Sequence, residues 1–251
     1  RMYNQKYLDS ELPLKKEKLR EKIEVSEVSR NRIATGYAEL DKLLIGGIPE
    51  TYPVILTSPF CDERDLLIKS FLEEGVEKGE IVFHLTVDQE EFIHLAEENQ
   101  SNLYLFVCNP HAAKTIEDSP NIFKLKGVEA LTEISIALTK AIRQLGEEQG
   151  INRRVCIEIV SDILLQHKAV QTRRWLTELI TELRARGFTT LAVMNPLMHP
   201  PRDVQAILGL FEGVITIEDR ETKRGSQKFL KIRRMYNQKY LDSELPLKKE
   251  K

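Results

Sequence analysis

TYPVILTSPFCDERDLLIKSFL, residues 51–72, sets the frame for the rest of the chain. Val54, Ile55 and Leu56 form a short apolar run that predicts a buried strand, and Leu66, Leu67, Phe71 and Leu72 supply the apolar face of a following helix. Upstream, RNRIATGYAELDKLLIGGIPE (30–50) predicts a turn at Thr35-Gly36, a short helix carrying Leu40, Leu43 and Leu44, and a stop at Gly46-Gly47 before Pro49. A charged helix is expected before it, over residues 10–24. Downstream, strands are expected at 81–87, 103–108, 122–125, 155–160 and 189–194. Helices are expected at 89–99, through Leu131, Ile134, Leu138, Ile142 and Leu145, at 170–186 with Trp175, Leu176, Leu179, Ile180 and Leu183 on one face, and at 202–211. VITIED (214–219), a charged turn at Arg224-Gly225 and FLKIRRM (229–235) read as an antiparallel pair. Apolar strands alternating with amphipathic helices indicate an α/β fold: a mainly parallel sheet flanked by helices, with a C-terminal antiparallel edge hairpin.

The 251 residues, 41% apolar and 30% charged, suit one large domain with appendages. With 37 basic against 39 acidic residues, no global attraction to nucleic acid or membrane follows. No apolar run nears the roughly 20 residues that span a bilayer, and no secretory signal is visible, so no membrane partner is expected. Cys61, Cys108 and Cys156 lie far apart without metal-ligand spacing, and two sit in strand-like runs as buried free thiols. A cytoplasmic location is the expectation.

Residues 1–18, RMYNQKYLDSELPLKKEK, recur unchanged at 234–251. Three origins stay open: a tandem array, in which the first copy is the tail of a preceding domain; a duplicated tail that docks in either position; and an artefact. The start at Arg1 in place of Met fits a piece of something larger or an edited sequence. Either copy is expected to form an amphipathic turn or helix, capped by Ser10 or Asp9 in the first.

A strand–loop–helix at the spacing of residues 51–72 is where a phosphate loop, G-x-x-x-x-G-K-[ST], would lie. Glycines there let backbone N–H groups surround phosphate, a Lys neutralises it and a hydroxyl holds Mg²⁺. Aligned on that pattern, the first glycine is Ser58, the second Glu63, the Lys is Arg64 and the hydroxyl Asp65, with Asp62 adding charge. Arg64 keeps a positive charge, but its fork is no simple substitute for an ammonium. Surface pairing with Asp62 or Asp65 is its expected role. Cys61 lies near Arg64, yet the neighbouring acids oppose thiolate formation, so no nucleophile is expected.

TGYAELDKLLIGGIPE (35–50), the loop, GEIVFHLTVD (79–88), RRVCIEIV (153–160), LRARGFTTLAVMN (183–195), ILGLFEGVITIED (207–219) and FLKIRRMYNQKY (229–240) together resemble KaiC-like members of the RecA superfamily. The resemblance covers residues 33–240. It implies a RecA-like core that assembles into rings or filaments with ATP between neighbours, in a group abundant in archaea. The family's paired glutamates fall on Asp88 and Gln89; Asp88 could act as a base, an amide cannot. The carboxylate supporting Mg²⁺ falls on Glu158, and a polar sensing position on Asn195, which also suits a turn with Pro196. The Lys-x-Arg pair that reaches a neighbour's phosphates falls on Arg234 and Tyr236, better suited to protein contact.

Eight Lys or Arg against one acid, Glu221, in residues 220–239 could form a basic stripe for nucleic acid; alternation puts Lys231 and Arg233 on one face, as a solvated edge strand also would. His84, His94, His111, His167 and His199 show no metal-ligand spacing. The expected organisation is a linker (1–32), a RecA/KaiC-like core (33–233) and a tail (234–251). The expected function is a pseudo-ATPase without cofactor, partnered with itself or a related RecA-like domain through the tail and edge strand. The alternatives are an ATPase binding ATP and Mg²⁺ through Arg64, Asp88 and Glu158, and a nucleic-acid-associated relative.

Overall fold

The computed structural model describes residues 32–88, 92–145, 150–222 and 225–247. The expected helix at 10–24, the first tail copy and Gln89 lie outside the described residues. At the centre is β3 (Pro53–Thr57), PVILT, buried at all five positions. A strand buried on both faces has no polar side to show, which is why it reads as a continuous apolar run. It pairs in parallel with β8 (Phe188–Met194) on one side and β9 (Gly213–Thr222) on the other. Parallel pairing continues from β8 through β7 (Arg153–Ile157), β4 (Ile81–Thr86) and β5 (Leu103–Cys108) to β6 (Ile122–Leu125).

Beyond β9 the pairing turns antiparallel, to β10 (Gly225–Met235) and then to β11 (Glu244–Pro246), which closes a nine-stranded sheet. The mainly parallel sheet with its C-terminal antiparallel hairpin is therefore as the sequence indicated, with one extra strand. β1 (Arg32–Ile33) and β2 (Ile48–Pro49) form a separate two-stranded ribbon. The tail forms a strand in place of the amphipathic turn or helix expected. Residues 234 and 235 finish β10, and residues 244–246 return along it as a strand, with no turn of helix. A Pro at Pro246, next to the buried Leu247, suits a sheet edge and removes a helical donor.

Helices cover both faces. On one face the 16-residue helix α2 (Asp62–Glu77) packs Leu67, Ile68, Phe71 and Leu72 inward; Ile68 takes the place expected for Leu66, which is half-buried. On the other, α5 (Leu131–Gln144) and α7 (Ala169–Ala185) bury Ile134, Leu138, Trp175 and Leu176. β7 stops at Ile157, and a further helix, α6 (Val160–Gln166), follows where the strand was expected to run to Val160. Ile157, Ile159, Val160 and Ile163 are all buried, and a continuous apolar run of this length does not discriminate strand from helix.

A buried ion pair ties β7 to the ribbon and to α2. Arg154 is fully buried; its Nε donates to Glu80 Oε2 (2.6 Å) and its Nη1 to the carbonyls of Phe71 (2.7 Å) and Ala34 (3.0 Å). Gly75 leaves it room: a Cβ there would lie 2.6 Å from Arg154 Cδ.

Candidate functional site

The strands' C-terminal ends gather the candidate residues at one edge of the sheet, where ligands of open α/β sheets bind. β3 ends before Ser58, β4 before Asp88, β7 before Glu158 and β8 before Asn195. Ser58 N–H donates to Met194 O (3.0 Å), and its hydroxyl donates to Pro59 O (2.7 Å). Among the described residues, positive φ outside glycine occurs at Ile45, Thr51 and Asn237 and nowhere in residues 58–65. The loop thus follows a path that side-chain-bearing residues accept, consistent with its lack of glycine.

Cys61 is the extended residue preceding α2, and Arg64 and Asp65 N–H groups both donate to its carbonyl (3.0 and 3.2 Å). Asp62, Glu63 and Asp65 occupy the first helical turn, where negative charge is favoured by the backbone dipoles. Glu63 is buried and lies 3.6 Å from Lys228 Nζ, which reaches across from β10 and also pairs with Asp219 (3.5 Å). The helix end that could receive an external anion is neutralised by the protein's own carboxylates.

Arg64 is not the surface group expected: it is only 8% exposed. Its Nε donates to Asp65 Oδ1 (2.7 Å), Nη2 lies 3.6 Å from Glu158 Oε1, and Phe60 stacks over the guanidinium at 4.6 Å. Glu158 also meets His84, a fully buried residue of β4, at 3.1 Å between Oε2 and Nε2. Burial alone would raise the Glu158 pKa, but His84, the Arg64 charge and Thr86 together hold it below the usual carboxylate range. Nearby Asp162 goes the other way, pushed up by burial and by the charge of Glu158. Between Phe60, Arg64, Val87, Glu158, Asp162 and Asn195 lies a cleft of about 70 Å³.

Asp88 is exposed, with its N–H held by Thr86 Oγ1 (3.0 Å). Asn195 accepts from Leu197 N–H (3.1 Å) and opens the short 3₁₀ turn Pro196–Met198, which matches its reading as a turn former. Cys108 and Cys156 are buried, and burial pushes the Cys108 thiol to about 12 and the Cys156 thiol well above its ordinary value. Sequence reasoning missed His84, Asp162 and Lys228 as members of this site. A lone His within IVFHLT of a two-face-buried strand was the available signal, because such a side chain needs a polar partner. The partner is 74 residues away and is set by β4–β7 pairing, in which His84 lies opposite Cys156.

The interface candidates are mostly occupied within the chain. Lys231 pairs with Glu244 (3.3 Å) and Asp242 (3.9 Å), and Arg233 with Glu218. Arg220 clamps both Glu244 oxygens. Arg234 donates to the Phe211 carbonyl (2.9 Å) and to that of Leu208, at the end of α8 (Pro201–Leu208). Tyr236 is 56% exposed, with the Arg234 guanidinium 4.9 Å from its ring centre. Glu218, Asp219 and Glu63 lie outside the window that made residues 220–239 look uniformly basic; β9–β10 pairing brings the first two to it, and the packing of α2 brings Glu63. Among the described residues no group of three His, Cys, Asp or Glu side chains could hold a metal ion, and no helix is long and apolar enough to cross a membrane.

No curated protein matches the chain. A KaiC-like protein from the hyperthermophilic archaeon Pyrococcus horikoshii has a similar crystal structure, with a TM-score of 0.64 at 18% identity, covering 86% of this chain and 93% of that one. At that identity the likeness shows the fold, a RecA-like one. The family model described as "ATPase: KaiC" matches residues 33–248, from the first buried residue of β1 to the tail beyond β11. Because that span takes in the whole sheet and every candidate residue, the chain belongs to the KaiC family.

Proposed function

We propose that this KaiC-family chain is a pseudo-ATPase, a non-catalytic domain that keeps the fold and works through protein assembly. The observation that carries the reading is the seat of Arg64. In the lysine's place stands a guanidinium held by Asp65, adjacent to Glu158 and covered by Phe60, so its charge is committed to the protein's own carboxylates. ATP with Mg²⁺ does not fit the residues present. Asp62, Glu63 and Asp65 would face a polyphosphate with like charge, and side chains replace both glycines that admit it.

An ATPase using Arg64, Asp88 and Glu158 would have to break the Arg64 pairs first, and Asp88 stands exposed outside the cleft. A nucleic-acid role has less support than the basic stripe promised, since Lys228, Lys231 and Arg233 face acidic partners. The partner we favour is a second copy or a related RecA-like domain, met through the edge strand and tail. Equilibrium binding of labelled ATP with Mg²⁺ at millimolar nucleotide tests the reading. No saturable binding is expected, and ATP should leave Tm unchanged. Saturable binding that is lost in Arg64→Ala would overturn it.

A further inference from the structure

The exact repeat has a structural counterpart in β11. That strand makes a short ladder with β10: Phe229 faces Pro246, Leu230 faces Leu245 and Lys231 faces Glu244. Leu247 follows, 4% exposed, its N–H donating to Lys228 O (2.9 Å), and Glu244 is gripped by Arg220 and Lys231. Upstream, Leu241 N–H donates to Leu43 O (2.8 Å), and Gln238 accepts from Arg32 (3.1 Å). The tail residues that make these contacts have identical counterparts in the first copy: Gln5, Leu8, Glu11, Leu12, Pro13 and Leu14.

We propose that the β10 edge is a slot for either of two identical strands, and that residues 11–14 of the same chain compete with residues 244–247 for it. The first copy lies outside the described residues, so its identity of sequence and its tether are what matter. Arg32, where the described chain begins, touches Gln238 beside the slot. From there to Leu247 the strand must travel about 23 Å, the length of β10 from Lys228 to Met235 at roughly 3.3 Å per residue. Residues 15–31 number 17 and reach up to about 60 Å, so the first copy reaches the slot with chain to spare.

Residues 11–14 would make the same ladder contacts as residues 244–247, so the linker contacts of Gln238 and Leu241 and the lengths of the tethers set the balance. The second copy is joined to β10 by the eight residues 236–243, and the first to β1 by 17. Doubling a loop changes closure entropy little, which favours the second copy by only about threefold. A second molecule's strand has no such tether and loses to both at ordinary protein concentration. Whichever copy is displaced becomes a free tail of the same sequence.

The test is a stability cycle in the full chain with Leu14→Asp, Leu247→Asp and the double variant, read by denaturant titration and gel filtration. Each single variant should keep its unfolding midpoint near that of the parent chain, because the intact copy fills the slot. The double variant should lose at least tenfold in its folded-to-unfolded ratio, or fail to fold while both single variants fold. If Leu247→Asp alone falls as far as the double variant and Leu14→Asp changes nothing, the first copy does not compete. An unchanged double variant would also overturn the proposal. A dimer of Leu247→Asp that grows with concentration would assign the strand to a second molecule and reject the same-chain slot.

Discussion

Arg154 shows how much of this fold rests on one side chain that its sequence context does not mark. RRVCI reads as a strand with a charged start, and an exposed Arg153 with an exposed Arg154 would satisfy that reading equally well. Instead Arg154 is fully buried against Glu80, with two carbonyls taking further N–H groups, and burial lowers its proton affinity despite the carboxylate beside it. Glu80→Ala would leave that guanidinium buried without its counter-charge, and a loss of about 3–5 kcal/mol is expected from equilibrium urea unfolding. A loss below about 1 kcal/mol, the level of a surface pair, would show that water reaches the site. Arg64 is the parallel case at the candidate site. Its alignment with the lysine of a phosphate loop was legible from spacing, and its pairing with Asp65 follows from adjacency. Its burial under Phe60 and its approach to Glu158 depend on β7 lying where it does, which no spacing in the sequence reports.

β11 is the element whose conformation was misread. The pattern of Ser243, Glu244 and the Lys-rich end suits a capped helix locally, but a three-residue strand beside β10 satisfies backbone groups that a solvated edge would leave open. Local preference of a few tenths of a kcal/mol per residue yields to burying Leu247 and to the Glu244 clamp. The clamp gives β11 a defined acid response. Arg220, then Lys231, hold the Glu244 pKa at about 2, against about 4.5 when the strand is free. A depressed carboxylate contributes stability above its unfolded value and loses it as pH falls through its folded value. Docking of the strand should therefore be intact at neutral pH and weaken from about 4.5 down to about 2. Hydrogen exchange of the Leu247 amide over that range measures it, and Glu244→Gln should flatten the response. An amide protected equally at pH 2 and pH 7 would show that packing of Leu247 alone holds the strand. α6 is not legible in the sequence because it is short and continues the apolar run of β7 with little periodic contrast.

Taken whole, the molecule is close to neutral, and its basic hairpin is balanced by acids drawn from β9, α2 and the tail. Paired charges release few counterions, so retention on an immobilised oligonucleotide should be weak and nearly independent of salt between about 50 and 200 mM. Strong retention that falls steeply with salt and disappears on neutralising Lys231, Arg233 and Arg234 would restore the nucleic-acid reading. The α/β class, the mainly parallel character of the sheet and the antiparallel hairpin were all legible in the sequence. They follow from periodicity and strand length, which are local properties of a chain that must bury both faces of β3 and its neighbours. The replacement of glycine, lysine and hydroxyl in residues 58–65 was legible for the same reason. What those replacements do was not. The Glu63–Lys228 pair, the His84–Glu158–Arg64 cluster and the Lys231–Glu244 contact that docks β11 join residues between 13 and 165 positions apart. Such contacts are set by strand order and register, and they form only when the sheet brings distant segments within a few ångströms of one another.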